Sequence, residues 1–459
     1  MSNGKPTLKI STSRQRQKAS NFEFAFNQNN LPKPENDSLN EYHLDAWKTY
    51  QALPFPTRKD EPWRRTDFQN LAVDKFRIND GVDQRGSKKN VFSFPYRKKG
   101  GRYNGELILT GSSVHISLSD EARQSGVIFL DLKSAEAQYP ELLARMIGQI
   151  VHAGDGKFAA LAAAFGQNGV FLYVPKGVQL ESPFYSHIWG APAYSAGLTH
   201  SLVWLDEGAS ITHIHEFSSP EIDEDAQAFH AGIIEIHVGE NAKLNLIELQ
   251  SWGEHVWSFM HERAKVYKNG QLVWISGTVG SHLSKVFSDV DLMEPGSEAR
   301  ISGFYFSDRE QHFDLDTQQN HLAPHTFSDL LYKGVLFGKS KTVWQGMIYV
   351  APHAIKTDGY QANRNLILSK DAKVNSIPGL EILAGDVRCS HGATVSKIED
   401  AEMFYLQSRG IPKQEAEKLI VKGFFNTVFE RIPDDVIIDR CTKIIENKME
   451  NHLFRLDKN

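Results

Sequence analysis

Seven copies of one short pattern constrain the fold of this chain more than any other feature of its sequence. Each copy has a polar turn residue, a small or turn-forming residue, one further residue and, soon after, an apolar residue, as in Glu207-Gly208-Ala209-Ser210-Ile211. Successive copies are 31, 33, 28, 29, 42 and 31 residues apart, counted between their third residues, which are Val178, Ala209, Ala242, Gly270, Ala299, Lys341 and Ala372. A repeat of this length indicates stacked units, none of which buries its apolar face alone.

Alternating apolar and polar residues fill the segment that holds these repeats. From residue 169 to about 398 there is little helical periodicity, and alternation runs through stretches such as 170–174 and 342–350. Because the short strands follow one another without crossover helices, the pattern predicts a mainly β fold. We expect a β-solenoid rather than a doubly wound sheet.

Helical periodicity flanks the repeats on both sides. The predicted domains are a flexible start at 1–20, a mostly helical N-terminal domain at 21–168, the β-helix core at 169–398 and a C-terminal helical domain at 399–459. An uncovered solenoid end would template pairing with another chain, so we expect the helical domains to cap both ends. The first 21 residues hold five basic and no acidic residues, which leaves an organellar transit peptide as the alternative to a flexible start.

Composition excludes several classes of protein. The chain has 459 residues, 41% of them apolar, and its 51 basic and 56 acidic residues leave a net charge of −5, which gives no footprint for nucleic acid. No apolar run approaches the roughly 20 residues of a membrane helix. Two cysteines, Cys389 and Cys441, are too few for a disulfide framework. We therefore expect a cytoplasmic protein that binds neither nucleic acid nor membrane.

The C-terminal segment carries more apolar surface than a short helical bundle needs. Pro412 suits the first turn of a helix, and the apolar face that follows suggests a partner as well as internal packing. The predicted partner-binding residues are Leu419, Ile420, Phe424, Phe425, Val428 and Phe429.

Two motifs suggest enzymatic chemistry. His213 and His215 lie two residues apart on a predicted strand, so both imidazoles share one face, as in a cupin-like metal enzyme; a ladder of structural polar residues is the other interpretation. The segment 334–340 resembles a phosphate loop, but three residues separate its glycines where four are needed, and a predicted strand follows it. We expect no direct ATP binding by this chain.

Cys389 and His391 form the most informative local pattern. On an extended segment the residues i and i+2 point the same way, so a thiolate and an imidazole could hold one soft metal ion. Two ligands do not close a tetrahedral site. Another residue, such as His353, or a second protein must complete it.

Five segments together resemble the SufB/SufD family of iron–sulfur cluster assembly proteins. Four lie near the C-terminus, at 358–369, 375–382, 387–394 and 404–411, and the fifth, at 56–68, is similar to a segment typical of the SufD branch. SufB typically has a Cys just before the strand that matches 365–369 and a Glu on each side of the His that matches His391. This chain has neither, and it keeps the Cys389 and His391 pair typical of SufD.

The resemblance implies a right-handed parallel β-helix between helical end domains. It also implies a non-catalytic scaffold that builds a transient iron–sulfur cluster, shared with a SufB-like partner that pairs through the β-helix. A SufC-like ATPase would dock on the C-terminal helices. His391 and Cys389 would be ligands at the partner interface. Two alternatives remain: a metal enzyme that uses His213 and His215, and a carbohydrate-active β-helix, for which we find no repeated acid pair.

Overall fold

The computed structural model describes residues 22–78, 103–111, 113–220, 222, 226–432 and 435–456. The predicted flexible start at 1–20 lies outside these residues. Within them the chain forms eight α-helices: α1 (Asp37–Ala52), α2 (Asp120–Gln124), α3 (Leu132–Gln138), α4 (Pro140–Met146), α5 (Lys157–Phe165), α6 (Asp400–Ser408), α7 (Lys413–Phe429) and α8 (Asp435–Leu456). Short 3-10 helices span Gln28–Asn30, Glu61–Trp63 and Ala153–Asp155. In this part of the chain no helix is both long and apolar enough to cross a membrane.

The same residues form twenty β-strands. In chain order they are β1 (Arg77–Ile78), β2 (Gly105–Thr110), β3 (Ser113–Leu118), β4 (Ile128–Asp131), β5 (Val170–Val174), β6 (Phe184–Trp189), β7 (Ser195–Leu205), β8 (Ser210–Ser218), β9 (Ala228–Val238), β10 (Lys243–Ser251), β11 (Val256–Val266), β12 (Gln271–Thr278), β13 (Leu283–Leu292), β14 (Glu298–Ser307), β15 (His312–His321), β16 (Phe327–Leu336), β17 (Lys341–Val350), β18 (Asp358–Ile367), β19 (Lys373–Ile382) and β20 (Arg388–Ser396).

From β5 onward the strands alternate between two parallel sheets. Sheet A holds the odd-numbered strands β5 to β19, and sheet B holds the even-numbered strands β6 to β20. Each turn of the chain adds one strand to each sheet, so β5 to β20 make eight turns. The inward side chains of both sheets form one apolar core, which includes Leu246, Trp274, Leu330 and Trp344. The predicted mainly β, solenoid fold is confirmed.

A stacked turn explains most of the sequence repeat. In the connection that leads to each sheet-B strand from β6 to β20, a single residue has a left-handed backbone with φ between 51° and 77°. These residues are Gly177, Gly208, Asn241, Asn269, Gly296, His325, Lys356 and Asp386. Backbone hydrogen bonds join this turn to the next one, as from Gly208 N–H to Glu240 O at 2.8 Å. Glycine and asparagine adopt this conformation most readily, so the first five turns are easiest to recognise in the sequence.

The 42-residue step in the predicted repeat is wrong as a solenoid turn. Ala299 lies in β14 of sheet B, whereas Lys341 begins β17 of sheet A, so the step joins two different sheets. The true neighbour of Glu298 in sheet B is Phe327, 29 residues later. This turn escaped detection because its left-handed residue is His325, which has no turn signature in the sequence.

Strands close the N-terminal end of the solenoid. β2 pairs with β6 and β3 in sheet B, and β4 pairs with β5 in sheet A. Leu107, Ala122 and Phe129, from β2, α2 and β4, belong to the solenoid core. These strands lie within 21–168, where the sequence had indicated helices. The helices α1 and α5 pack together, and α5 covers β7, β9 and β11 on the outer face of sheet A.

The C-terminal helices lie along sheet B rather than across the end of the solenoid. α7 packs on β14 and β16, and α8 packs on α7. Phe425 and Phe429 of α7 contact Phe304 of β14, with ring centroids 6.0 and 5.3 Å apart. The expected helical cap at this end is therefore wrong for the described residues, because the apolar face of α7 is satisfied by the outward side chains of sheet B. β19 and β20 remain the last strands of the two sheets.

Candidate functional site at the C-terminal end of the solenoid

Cys389 and His391 lie on β20, the last strand of sheet B. Cys389 pairs in register with Gly359 of β18, and His391 pairs with Gln361. A Cβ atom placed on Gly359 would point into the solenoid, 3.4 Å from Cys389 Sγ and 3.2 Å from His321 Nε2. The Cys389 side chain therefore turns to the inner side of the sheet. Residues i and i+2 share one face of a strand, so His391 lies on that side too.

These inward positions are accessible because no further turn of the described chain covers them. Gln361 is fully buried one turn earlier, whereas His391 is exposed and Cys389 is half-buried. Burial raises the pKa of the Cys389 thiol, and the nearby Asp358 carboxylate adds to the effect. The thiol is thus protonated at neutral pH, and binding of a metal ion would release its proton.

Buried amide side chains of β18 fill the solenoid interior next to Cys389 and His391. Gln361 Nε2 donates hydrogen bonds to Gly379 O at 2.8 Å and Gly346 O at 3.3 Å, which ties β18 to the last two strands of sheet A. Asn363 Nδ2 donates to the hydroxyl of Tyr305 at 3.1 Å. The last two turns are therefore fixed by polar side chains inside the solenoid, and β20 has a rigid support.

The structure does not bring a third ligand to this pair. His353 Nε2 donates to Leu322 O at 2.8 Å, so that nitrogen is occupied. Within the described ranges, no group of three or more His, Cys, Asp and Glu side chains is arranged to hold a metal ion. Cys389 and His391 thus offer two donors at an open surface.

His213 and His215 share one face of β8, as predicted from their spacing, but this face is the solenoid interior. Ser186 Oγ lies 2.7 Å from both His213 Nε2 and His215 Nδ1. Both rings are buried, and burial lowers the pKa of His213 to about 3 and that of His215 well below its usual range. Neutral imidazoles bridged by a hydroxyl are typical of a structural network, so the cupin-like alternative is not favoured.

The phosphate-loop-like segment is the end of β16 and the turn that leads to β17. Gly334 lies within β16, and a Cβ placed there would be 1.8 Å from the Tyr305 ring. Lys333 Nζ donates to Phe424 O at 2.6 Å, which ties sheet B to α7. The chain then continues into β17 rather than into a helix. Gly334 therefore serves close packing against a side chain, and Gly338, with a φ of 61°, serves the turn before β17.

Exposed apolar side chains concentrate at the same end of the chain. Of the eleven large apolar side chains exposed in the described residues, eight lie between positions 355 and 419: Ile355, Tyr360, Ile382, Leu383, Val395, Phe404, Tyr405 and Leu419. Seven of them belong to the last turns of the solenoid and to α6, which buries no side chain. Sequence analysis missed this surface, because its only signal is an apolar pattern with no later repeat to cover it.

The predicted partner-binding residues of α7 divide into two groups. Phe425, Val428 and Phe429 are buried within this chain, and Ile420 and Phe424 are half-buried beside them. Leu419 is 50% exposed. It borders a groove of about 310 Å³ between α7 and α8, which also includes Met449. In this conformation only the Leu419 side of α7 is open to a partner.

Comparisons with known proteins identify related chains. Residues 188–424 match the family model described as SUF system FeS cluster assembly, SufBD core domain, and residues 17–185 match the model of the SufBD protein N-terminal region. An iron-sulfur cluster assembly SufBD family protein of Staphylococcus saprophyticus is 28% identical over 343 residues, which cover 74% of this chain and 72% of the relative. A protein of the same description from Staphylococcus aureus has the same identity and coverage.

Proposed function

Because this chain belongs to the SufBD family of the SUF iron–sulfur cluster assembly system, we propose that it is a SufD-type scaffold subunit. In this role it builds and transfers nascent clusters with a SufB-like partner and a SufC-like ATPase in the cytoplasm. The cluster is cargo, held transiently between subunits, and the chain itself neither binds ATP nor catalyses a reaction. The SufD assignment is supported by the absence of Cys from 361–368 and of Glu beside His391.

The open end of the solenoid is the observation that carries this proposal. β19 and β20 each have a neighbour on one side only in the described chain, and exposed apolar side chains such as Leu383 and Val395 surround them. Unpaired strand edges and exposed apolar patches are both features of protein interfaces. A second β-helix would continue both sheets and cover this surface.

The donor set at this end supports a shared cluster. Cys389 and His391 supply one sulfur and one imidazole, whereas cluster irons are usually held by four thiolates or by a mixture with imidazole. The remaining ligands would come from the partner. His391 would act as an iron ligand, or would accept the proton that a partner thiol releases when it binds metal.

We place the ATPase contact at the groove between α7 and α8. Its centre is apolar, with Leu419 and Met449, and its rim carries the ion pairs Lys418–Glu450 and Lys422–Glu446. Phe425 and Phe429 of α7 are packed on Phe304 of sheet B. A partner that docks here contacts Leu419 first.

Co-purification from native cells tests the proposed function. The tagged chain should recover a second β-helix subunit of the SufBD family and an ATPase of the SufC type, both identified by mass spectrometry. The isolated chain, anaerobically supplied with iron and sulfide, should retain no stoichiometric cluster. Recovery of neither protein, or a stable cluster on the single chain, would contradict the assignment.

A further inference from the structure

Two basic side chains of α8 reach sheet B from the same side of the helix. Arg440 and Lys448 are eight residues apart, which places them about 12 Å apart along the helix axis. They border a buried stripe of α8 that consists of Ile437, Cys441, Ile445 and Met449. Two charged groups thus flank the apolar contact between α8 and the rest of the chain.

Lys448 is enclosed by four oxygen atoms of the solenoid. Its ammonium donates to Phe306 O at 2.8 Å, to Gln311 Oε1 at 2.8 Å and to Val279 O, and it lies 2.9 Å from Asp308 Oδ1. An ammonium has three protons, so this set fully satisfies it. We call these four oxygens the lysine socket.

The lysine socket is held together by bonds that do not involve α8. Gln311 Nε2 donates to Ser281 O at 2.7 Å, and the Asp308 N–H donates to Gln311 Oε1 at 3.1 Å. The Gln311 N–H closes the same turn on Asp308 O at 3.1 Å. The Gln311 amide and the turn that carries Asp308 are therefore held by bonds that do not involve Lys448.

Arg440 makes the second contact. Its guanidinium pairs with the Glu216 carboxylate on β8, and the Tyr185 hydroxyl donates to the same carboxylate at 2.6 Å. Glu216 is 3% exposed. Burial and the charge of Glu216 raise the pKa of Tyr185, so its hydroxyl remains a donor. If Arg440 left this site, the buried Glu216 carboxylate would have no cation beside it, which is unfavourable in free energy.

We propose that Lys448 and Arg440 are a two-point latch that holds α8 closed against sheet B, and that α8 opens as a unit when the latch is released. Charged hydrogen bonds are strong and depend on precise geometry. Losing one of the two contacts therefore shifts the equilibrium between the closed and open positions of α8 toward the open one. Opening exposes the apolar stripe of α8. Its role in regulating the ATPase contact rests on the proposed function, but the latch itself does not.

Cys441 provides a probe of opening within the natural sequence. Its side chain is fully buried in the stripe, and burial raises the pKa of its thiol to about 12. A thiol reagent therefore reaches it only when α8 leaves. Cys389, half-buried at the far end of sheet B, serves as an internal reference.

The test measures the labelling rates of both cysteines by a maleimide in the isolated full chain, read by mass spectrometry. Lys448→Met removes the ammonium with all of its hydrogen bonds, and Asp308→Asn removes the negative charge of the ion pair, so each should speed labelling of Cys441 by roughly 10- to 100-fold. Labelling of Cys389 and hydrogen exchange of the solenoid strands should stay as in the wild type. Because Lys448 and Asp308 act together, the double variant should exceed the single variants little.

Lys413→Met is the matched control, since Lys413 is an exposed lysine on α7 whose ion pair, 3.9 Å long, is with Glu417 of the same helix. It should leave labelling of Cys441 unchanged. Equal Cys441 labelling in the wild type and Lys448→Met would overturn the latch. So would a rise matched by faster exchange throughout the solenoid, or by an equal rise in Lys413→Met. These readouts need neither partner nor cluster, so their failure and that of the proposed function are separate.

Discussion

Glu248 and Glu262 meet inside the solenoid, the first from β10 of sheet B and the second from β11 of sheet A. Glu262 Oε2 accepts a hydrogen bond from Ser288 Oγ at 2.8 Å, and Glu248 Oε2 has no hydrogen-bond donor among the described residues. Both line a cavity of about 20 Å³, which has room for about one water molecule. Burial raises the pKa of both carboxyl groups, that of Glu248 to about 7. We infer that the pair shares a proton.

This pair predicts a loss of stability at high pH. Because the folded-state pKa of Glu248 is raised, its contribution is complete below the unfolded pKa of about 4.5 and is lost as the pH rises through about 7. The Gln side chain of Glu248→Gln cannot ionise. Between pH 5 and pH 8 the free energy of unfolding of this variant should therefore fall less than that of the wild type, and the difference should be on the order of 2 kcal/mol. Urea unfolding at both pH values measures the difference.

The control for this prediction is Glu207→Gln, which alters an exposed carboxylate paired with Lys176. It should keep the pH dependence of the wild type. Buried histidines such as His213 act in the opposite sense, since their stabilising effect is lost as the pH falls below about 6.5, but every variant contains them. Identical pH dependence in Glu248→Gln and the wild type would show that the pair carries no shared proton.

Lys285 joins the solenoid to the segment at 56–68, and we predict that replacing it lowers the free energy of unfolding strongly. Its buried ammonium lies 3.0 Å from Asp314 and 2.9 Å from Asp316, and it donates to Pro62 O at 2.7 Å. Lys285→Met should lower the free energy of unfolding by about 3–5 kcal/mol, because it leaves buried carboxylates without a cation. Lys268→Met, at an exposed pair, should cost at most about 1 kcal/mol. Equal effects of the two substitutions in urea would refute this account.

The sequence predicted the solenoid because strands and turns are each determined by residues that are close together in the chain. A strand alternates every two residues, and Gly208 and Asn241 mark turns by their backbone freedom. Residues such as Lys356, also left-handed, carry no such mark, so later turns went unrecognised. The lysine socket could not be predicted from the sequence, because Lys448 and Asp308 are 140 positions apart and come together only in the folded chain.

The candidate site was predictable in part for the same reason. Cys389 and His391 are neighbours on one strand, so their common face follows from spacing alone. The fate of the α7 side chains did not follow, since a helix face has the same sequence pattern whether it packs on its own chain or on another. Phe425 packs on Phe304, a residue more than one hundred positions earlier.

Leu419 predicts the ATPase contact. Leu419→Glu places a charge at the centre of the groove between α7 and α8, and should abolish recovery of the ATPase while the melting temperature stays near that of the wild type. Phe425→Ala should instead cost about 3–5 kcal/mol of stability, since its ring is buried within the chain. Retained ATPase in a pull-down with Leu419→Glu would move the contact elsewhere.

Val395 predicts the contact with the second β-helix. Val395 is 52% exposed on β20, so Val395→Lys should leave the isolated chain folded but should prevent pairing, because the charge would be buried in the interface. Val114→Lys is the matched control, since Val114 is 46% exposed on β3 at the opposite end of sheet B. Size-exclusion chromatography with the partner should show loss of the complex for Val395→Lys only. Loss in both variants, or in neither, would contradict pairing at the β20 end.

His391 gives the most direct test of the claim that the open end of the solenoid is the assembly site. The measurement is the activity of an iron–sulfur enzyme in cells that depend on the variant, alongside thermal melting and co-purification of the complex. His391 is exposed, so His391→Ala should change stability by less than about 0.5 kcal/mol. Its complex should form normally while enzyme maturation fails, and His391→Gln should not restore it. His353→Ala, at an exposed histidine of the same end, should mature the enzyme as the wild type does. Normal maturation with His391→Ala, or failure that tracks loss of folding, would contradict the account.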